Sequence, residues 1–444
     1  MTLDQMRKAV FAQKPVFKAI LGRYGDWSLT DYYDQLGANY KPSATPKARR
    51  KELENALIRK TKKLLGKRVA DELKKYLAKR YVVSTAGHHD FATHPFFANY
   101  LIAAGYSNTD AGLPVVPVLT CSGISLNNSS FPRGLLFHDD QEMERRIKLV
   151  SLKNHHHPVY GYPSYHAATL AEAILSVDKG LTDILKKTLG GKALKKKLLS
   201  DQIGLAVQAL YKNLSGLSRT EVVYLPQEEI VVDLFIKHHL KQKTIINRVV
   251  FDKTIRESFI NLFEGIIGAR DTRKGTGTHL FWGIGKTGRV AMHLQDSQLA
   301  SEDGAIVVAL TPAAIKKALE KKQLMPAMSF TFTLLSFYYG LACAGGFSQV
   351  NYLTEMKKAY LKLLKTIPGS DTEVSLAEGV PTDLFAGEFV LATLDTKSTA
   401  ATALDIMLRH GIFTEARLRK LLKATSLNEG VNRMIPELYR IVTQ

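Results

Sequence analysis

The sequence predicts a mixed α/β protein built on a buried parallel sheet, and three stretches carry that reading. Tyr81-Val82-Val83-Ser84-Thr85-Ala86 is a short apolar run that ends in Gly87 and the polar cluster His88-His89-Asp90, after which a helical pattern resumes from Phe96 to Ala104. Leu113–Leu119 (LPVVPVL) is a second such run, followed by a polar loop, Thr120–Ser130. Ala305–Leu310 (AIVVAL) reads as a further parallel strand, and Thr311-Pro312 caps and opens the helix after it. Continuous apolar runs suit strands buried on both faces. Strand, glycine turn, polar residues, helix is the layout of a Rossmann-like fold, whose sites form beyond the carboxyl ends of the strands.

The other elements follow in chain order. From Lys47 to Arg80 the chain holds 14 basic and 4 acidic residues, half of the formal net charge of +20. Leu53, Leu57, Leu65, Val69, Leu73 and Leu77 recur through it mostly at four-residue steps, which predicts a helix with one apolar stripe and a basic outer face, broken at Gly66. A hairpin is expected around Pro132-Arg133-Gly134, helices at Ala167–Leu189 and Asp201–Leu214, and a strand at Val222–Leu225. Glycines among alternating apolar residues from Gly275 to Val290 indicate a β-hairpin. The GIGKTG inside it is no phosphate loop: a P-loop needs four residues between its first glycine and Gly-Lys-Ser/Thr, and Gly283 stands one residue before Gly285-Lys286-Thr287.

Leu324–Cys343 (LMPAMSFTFTLLSFYYGLAC) is uncharged and about the length of a spanning helix. Its serines, threonines and tyrosines, with Pro326 and Gly340, make it a buried helix of the core instead. Helices at Thr399–His410, Thr414–Thr425 and Asn432–Val442 complete the chain. The expected division is an N-terminal basic helical segment (1–80), a Rossmann-like α/β core (81–370) with an inserted hairpin at about 275–295, and a C-terminal helical region (371–444).

Composition narrows the function classes. Hydrophobic content of 45% in 444 residues argues against disorder and against a fibrous chain. Cys121 and Cys343 are the only cysteines, which excludes a disulfide framework and a four-cysteine zinc site. MTLDQMRKAVFAQ has no apolar h-region, so a cytoplasmic location without membrane association is expected.

Histidine is the most informative residue: eight of 13 lie between positions 88 and 166. Imidazole serves as acid or base near neutral pH, ligates zinc and donates to phosphate. His88 and His89, on a rigid strand end, are the candidate acid/base pair, with His88 pointing into the cleft because it follows the Gly87 turn. His94, Asn99 and His156 join them as candidate binding residues. The loop Cys121–Gly134 is dense in small donors and acceptors, so Asn127, Asn128, Ser129 and Arg133 are candidate contacts, the arginine fork suiting carboxylate or phosphate. Gly345 and Gly346 allow close backbone approach to a ligand, with Gln349 and Tyr352 placed to read polar groups. Cys121 is a weaker nucleophile candidate. No spacing matches a metal signature.

Two separated stretches resemble a known family. Val82-Val83-Ser84-Thr85-Ala86-Gly87-His88-His89, followed by a helix and then Val115-Val116-Pro117-Val118, resembles the N-terminal nucleotide-fold region of the bacillithiol-synthesis cysteine-adding enzymes, where a valine-rich strand runs into a Thr-Gly-His/Gln-Gln turn. Gly345-Gly346-Phe347-Ser348-Gln349-Val350-Asn351-Tyr352-Leu353 through Tyr360 is similar to that family's Gly-Gly-Pro-Gly-Glu-x-x-Tyr segment. Together they cover about a tenth of the chain. Ala86 and His89 depart from the first motif, Phe347 and Gln349 from the second, and Asn127-Asn128 stands where the family has a histidine-aspartate segment. The resemblance implies a Rossmann-like core and ligase-type addition of an amino acid or amine to a sugar-like acceptor. ATP or another nucleotide follows from the resemblance and the fold type alone, and a divalent metal is the other cofactor to test.

The leading expectation is therefore a small-molecule enzyme of ligase or group-transferase type, with a polar, anionic substrate in a cleft gathering the segments around His88, Asn127, His156 and Gly345. The alternative is a non-catalytic nucleic-acid-binding protein using Lys47–Arg80 as its phosphate-tracking face.

Overall fold

A computed structural model describes residues 1–394 and 399–443. Its strands, in chain order, are β1 (Val82–Ser84), β2 (Val115–Thr120), β3 (Gly134–His138), β4 (Glu144–Lys148), β5 (Glu221–Pro226), β6 (Phe281–Gly285), β7 (Gly288–Gln295), β8 (Gln298–Ser301), β9 (Val307–Ala309), β10 (Leu324–Pro326) and β11 (Ala342–Ala344). The protein is mixed α/β. Its central sheet, in the order β11-β1-β2-β5, is parallel throughout.

Every residue of these four strands is buried, and the period-2 alternation of their side chains sorts them into two cores. Val82, Val116, Val118, Val222, Tyr224, Ala342 and Ala344 face one core, with the helices Leu3–Gln13, Pro15–Tyr24 and Pro95–Asp110 and the C-terminal helices. Val83, Val115, Leu119, Val223, Leu225 and Cys343 face the other, with the helices Lys47–Leu65 and Lys67–Lys79. Burial on both faces explains the continuous apolar runs that made these strands readable. Gly66, at φ +94°, separates the two basic helices as expected.

Several elements differ from expectation. Ala305–Leu310 is not a parallel strand: β9 is the edge of a five-stranded antiparallel sheet, β10-β6-β7-β8-β9, with Val308 buried between exposed Val307 and Ala309. The Gly275–Val290 hairpin exists as β6 and β7 but belongs to that larger sheet. Leu324–Cys343 is broken rather than one helix: β10, an α-helix Met328–Phe332, a π-turn Thr333–Tyr338 and β11. The Thr333 hydroxyl donates to Ser329 O at 2.8 Å, in competition with the helical ladder, and Gly340 at φ +69° ends the segment. No helix among the described residues is long and apolar enough to cross a membrane.

The hairpin predicted at Pro132-Arg133-Gly134 is β3–β4, but its turn is Asp139–Met143, where Asp139 Oδ1 accepts from Gln141 N and Met143 N at 3.0 Å. Ala167–Leu189 is split, because Asp178 caps a new helix by accepting from Leu181 N at 2.8 Å. The helix expected from Thr399 begins only at Ala403, where Thr402 and Asp405 form a capping box; part of the stretch before it, 395–398, lies outside the described residues.

Candidate functional site

The carboxyl ends of β1, β2, β5 and β11 open into one cavity of about 340 Å3. Thr85, Gly87 and His88 come from the turn after β1, and Cys121, Ile124, Ser129 and Ser130 from the loop after β2. Gln227 follows β5, Gly346 to Gln349 and Tyr352 follow β11, and Glu388 arrives on the extended C-terminal return. Phe96, Phe97, Phe332 and Phe347 form an aromatic wall. Along the sheet from β5 the strands come third, second, first and fourth in the chain, so the chain leaves β1 toward β2 while its other neighbour, β11, enters last. Such a reversal opens a crevice between the strand ends where α/β proteins bind ligands.

Across this crevice the Gln349 amide donates to the Thr85 hydroxyl, locking the helix Phe347–Lys365 to the end of β1. Gly87 sits at φ +107°, and a Cβ there would lie 2.8 Å from the Phe97 ring, so glycine is required both for the turn and for the aromatic wall. A Cβ at Gly346 would lie 2.2 Å from Glu388 Oε1. The close approach this glycine permits is that of a carboxylate of the same chain.

His88 lines the cavity, its Nδ1 3.3 Å from Ser130 Oγ, and Tyr224 OH donates to its carbonyl at 2.6 Å. Burial lowers its pKa to about 4, with a hydrogen bond to the Asn128 side chain opposing the shift, so the ring is neutral at pH 7. His89 points the other way. It is fully buried, its Nε2 donates to Ser200 O at 2.9 Å, and its Nδ1 accepts from Thr120 Oγ1 at 2.6 Å. Both ring nitrogens are spent on the core, and His89 does not line the cavity, so it is not placed to act there as the expected acid or base.

Two buried carboxyls nearby have raised pKa values, and of the two Glu388 lines the cavity. Glu388 Oε2 accepts from Phe347 N at 2.8 Å, at the N-terminus of the helix Phe347–Lys365, and burial raises its pKa to about 7. Asp90, behind His88, is raised by burial to about 7 although Ala92 N donates to its Oδ1 at 2.7 Å. Ala92, Phe131 and Glu388 all hold positive φ, 52°, 57° and 52°, so strained backbone clusters at the loops that carry or flank these groups. Gln227 is 2% exposed and among the described residues its Oε1 has no partner, leaving a buried acceptor on the wall.

The Cys121 thiol is pushed up by burial and by Glu228, which disfavours the thiolate a nucleophile needs. Glu228 is occupied in fixing the loop: it accepts from Ser122 N and Oγ at 2.9 and 2.6 Å and from Gly123 N at 3.2 Å. Cys121, Arg289 and Met328 also line a second cavity of about 310 Å3 beneath the antiparallel sheet, where the Arg289 guanidinium stacks 4.0 Å over Trp282.

Of the expected binding residues, His94, Ser129, Gly346, Gln349 and Tyr352 line the main cavity, and Gly345 adjoins it, pairing with Leu384 and Ala386. Asn128 reaches it through His88. Asn99 does not reach it: it is 0% exposed and donates to Pro95 O and Phe389 O. Asn127 and His156 are exposed and outside it, and the Arg133 guanidinium lies 5.1 Å over Phe131 instead. His138 is a structural clasp, with Nδ1 donating to Asp405 Oδ2 at 2.6 Å. Gln227 and Glu388 lie in no motif that the sequence displays.

The lining does not fit a triphosphate. Arg289 is its one cation, and Glu388 already fills the helix N-terminus where a phosphate would sit. Among the described residues no group of three or more His, Cys, Asp or Glu side chains could hold a metal ion. On the basic helices, Arg59, Lys60 and Arg68 are tied to Asp233, to Asp201 and Glu229, and to Glu221. Lys47, Lys51, Lys62, Lys63, Lys67, Lys74 and Lys79 are exposed without an ion pair among the described residues. No protein-family model matches the chain, and no curated protein matches it in sequence.

Proposed function

We propose that the protein is a small-molecule enzyme of ligase or group-transferase type, with a Rossmann-like core, acting on a substrate held at the carboxyl end of the parallel sheet. The observation that carries the reading is the convergence of all four strand-end loops on one cavity holding a carboxyl with a pKa near 7. General acid/base groups work best when their pKa lies near the working pH. Glu388 is therefore the acid/base, and neutral His88 orients the substrate. The aromatic wall and the single cation favour an amphipathic ligand over a strongly anionic one.

The resemblance to the cysteine-adding enzymes supports an amine or amino acid as one reactant. In such a transfer the amine nitrogen bonds to the acceptor carbon, the leaving group departs with the bonding pair, and the amine proton passes to the Glu388 carboxylate. Gln227 Oε1 accepts a second N–H of the amine. A thermal-shift screen of amino acids and amino sugars tests the reading. The expected result is a hit whose stabilisation disappears in Glu388→Gln and Gln227→Leu and persists in Lys62→Gln/Lys63→Gln. Stabilisation indifferent to the cavity substitutions would overturn it.

A further inference from the structure

At the amino end of the same sheet, opposite the cleft, lies a separate cavity of about 160 Å3. The loop Tyr40–Ser43, the helices Lys47–Leu65 and Lys67–Lys79, and Tyr81 just before β1 enclose it. Three of its lining side chains, Lys41, Arg50 and Lys79, are cations, and no carboxylate lines it. Among the described residues none of the three makes an ion pair.

Arg50 differs from its neighbour. Arg49 is anchored, its Nη2 2.7 Å from Glu373 Oε1 and its guanidinium 4.0 Å over Tyr338. Consecutive helical residues point about 100° apart, so Arg50 misses those partners, and among the described residues its buried Nε has no acceptor. The nearby carboxylate is Glu54, one turn along; burial raises its pKa, with Arg50 and Lys74 opposing, but it forms no ion pair with Arg50. The two tyrosines offer no charge, since Tyr40 OH donates to Gly340 O at 2.6 Å and Tyr81 OH to Tyr339 O at 3.2 Å. What remains is a concave site with a guanidinium fork, two ammonium groups and the Ser43 hydroxyl, all donors, around an unfilled space.

We propose that this cavity binds a phosphate-type oxyanion, either inorganic phosphate or the phosphate head of a small ester. A buried guanidinium nitrogen without an acceptor is costly, and a doubly charged oxyanion matches the fork in geometry and three cations in charge. A cavity of about 150 Å3 holds a benzene-sized molecule, so a phosphate and a short ester stem fit.

Titration calorimetry of the full chain at about 0.15 M salt, where the Debye length is about 8 Å, with inorganic phosphate and with glycerol phosphate, tests the site. One saturable site is expected, weakened about tenfold or more by Arg50→Gln, a loss of about 1.4 kcal/mol per decade. Lys62→Gln/Lys63→Gln, on the same helix but outside the cavity, should change affinity by less than about twofold, as expected of screened surface charges. Tighter binding of phosphate or of the ester identifies which source the site serves. Should Arg50→Gln fail to fold by circular dichroism, Lys41→Gln/Lys79→Gln carries the same expectation, because both side chains are exposed. Absence of saturable binding, or equal losses in the cavity and the control variants, would overturn the proposal.

Discussion

The wall of the main cavity and the core directly behind it are built from similar residues put to opposite use. In the core, His89 has both ring nitrogens bonded, and Asp405 accepts from His138 N, His138 Nδ1 and Thr402 N at 2.7, 2.6 and 2.8 Å. On the wall, Gln227 Oε1 has no partner among the described residues, the Glu388 carboxylate accepts from Phe347 N at a residue of strained φ, and His88 touches Ser130 at only 3.3 Å. Polar groups satisfied within the chain fix the fold, whereas polar groups left short of partners in a cavity are the ones a ligand can complete.

The largest effect should come from the core. Asp405→Asn is expected to cost about 3 kcal/mol, because it breaks a buried pair and faces an amide NH2 toward donors; urea unfolding measures it. The same experiment carries a pH signature. Burial lowers the His138 pKa, but the Asp405 hydrogen bond and charge raise it above its ordinary value overall. The contribution is therefore complete below the unfolded histidine pKa of about 6.5 and lost as pH rises through the higher folded value. Wild type should lose this increment as pH rises above about 6.5 through the higher folded value, and Asp405→Asn should not.

His89→Ala comes next, at about 2 kcal/mol, since Ser200 O and Thr120 Oγ1 lose their imidazole partner in a buried site. If it proved harmless to stability while abolishing ligand binding, the division between wall and core would be wrong. On the wall, Glu388→Gln should alter the pH dependence. A carboxyl raised to about 7 stays protonated when folded, so wild-type stability should fall as pH rises from its unfolded value toward 7. The variant should show a shallower fall, with the remainder due to Asp90. The smallest effect is expected for His88→Ala: about 1 kcal/mol or less, a melting temperature within a few degrees of wild type, and ligand binding lost.

The sequence reveals the wall and the core unequally. The parallel strands are legible because burial on both faces leaves uninterrupted runs such as Val115–Leu119, and the turn after β1 is legible because Gly87 and two histidines interrupt one. The run at Ala305–Leu310 misleads because three residues of an edge strand carry no period that separates parallel from antiparallel pairing. The choice of His88 over His89 as the inward ring follows from its place directly after the Gly87 turn. Glu388 and Gln227 are illegible, since what singles them out is a missing partner or a raised pKa, and both arise from residues distant in the chain. Asn127 and His156 mislead because polar loop residues look alike whether they face a cavity or solvent.

The most direct test of the account is hydrogen exchange on the full chain with and without the most stabilising amine or amino acid from the thermal-shift screen. Segments 84–97, 121–130, 227–229, 345–352 and 385–390 should gain protection together, because they converge on the one cavity at the carboxyl end of the parallel sheet. Protection confined to residues 47–80, or scattered without these segments, would contradict the claim that this cavity is the ligand site.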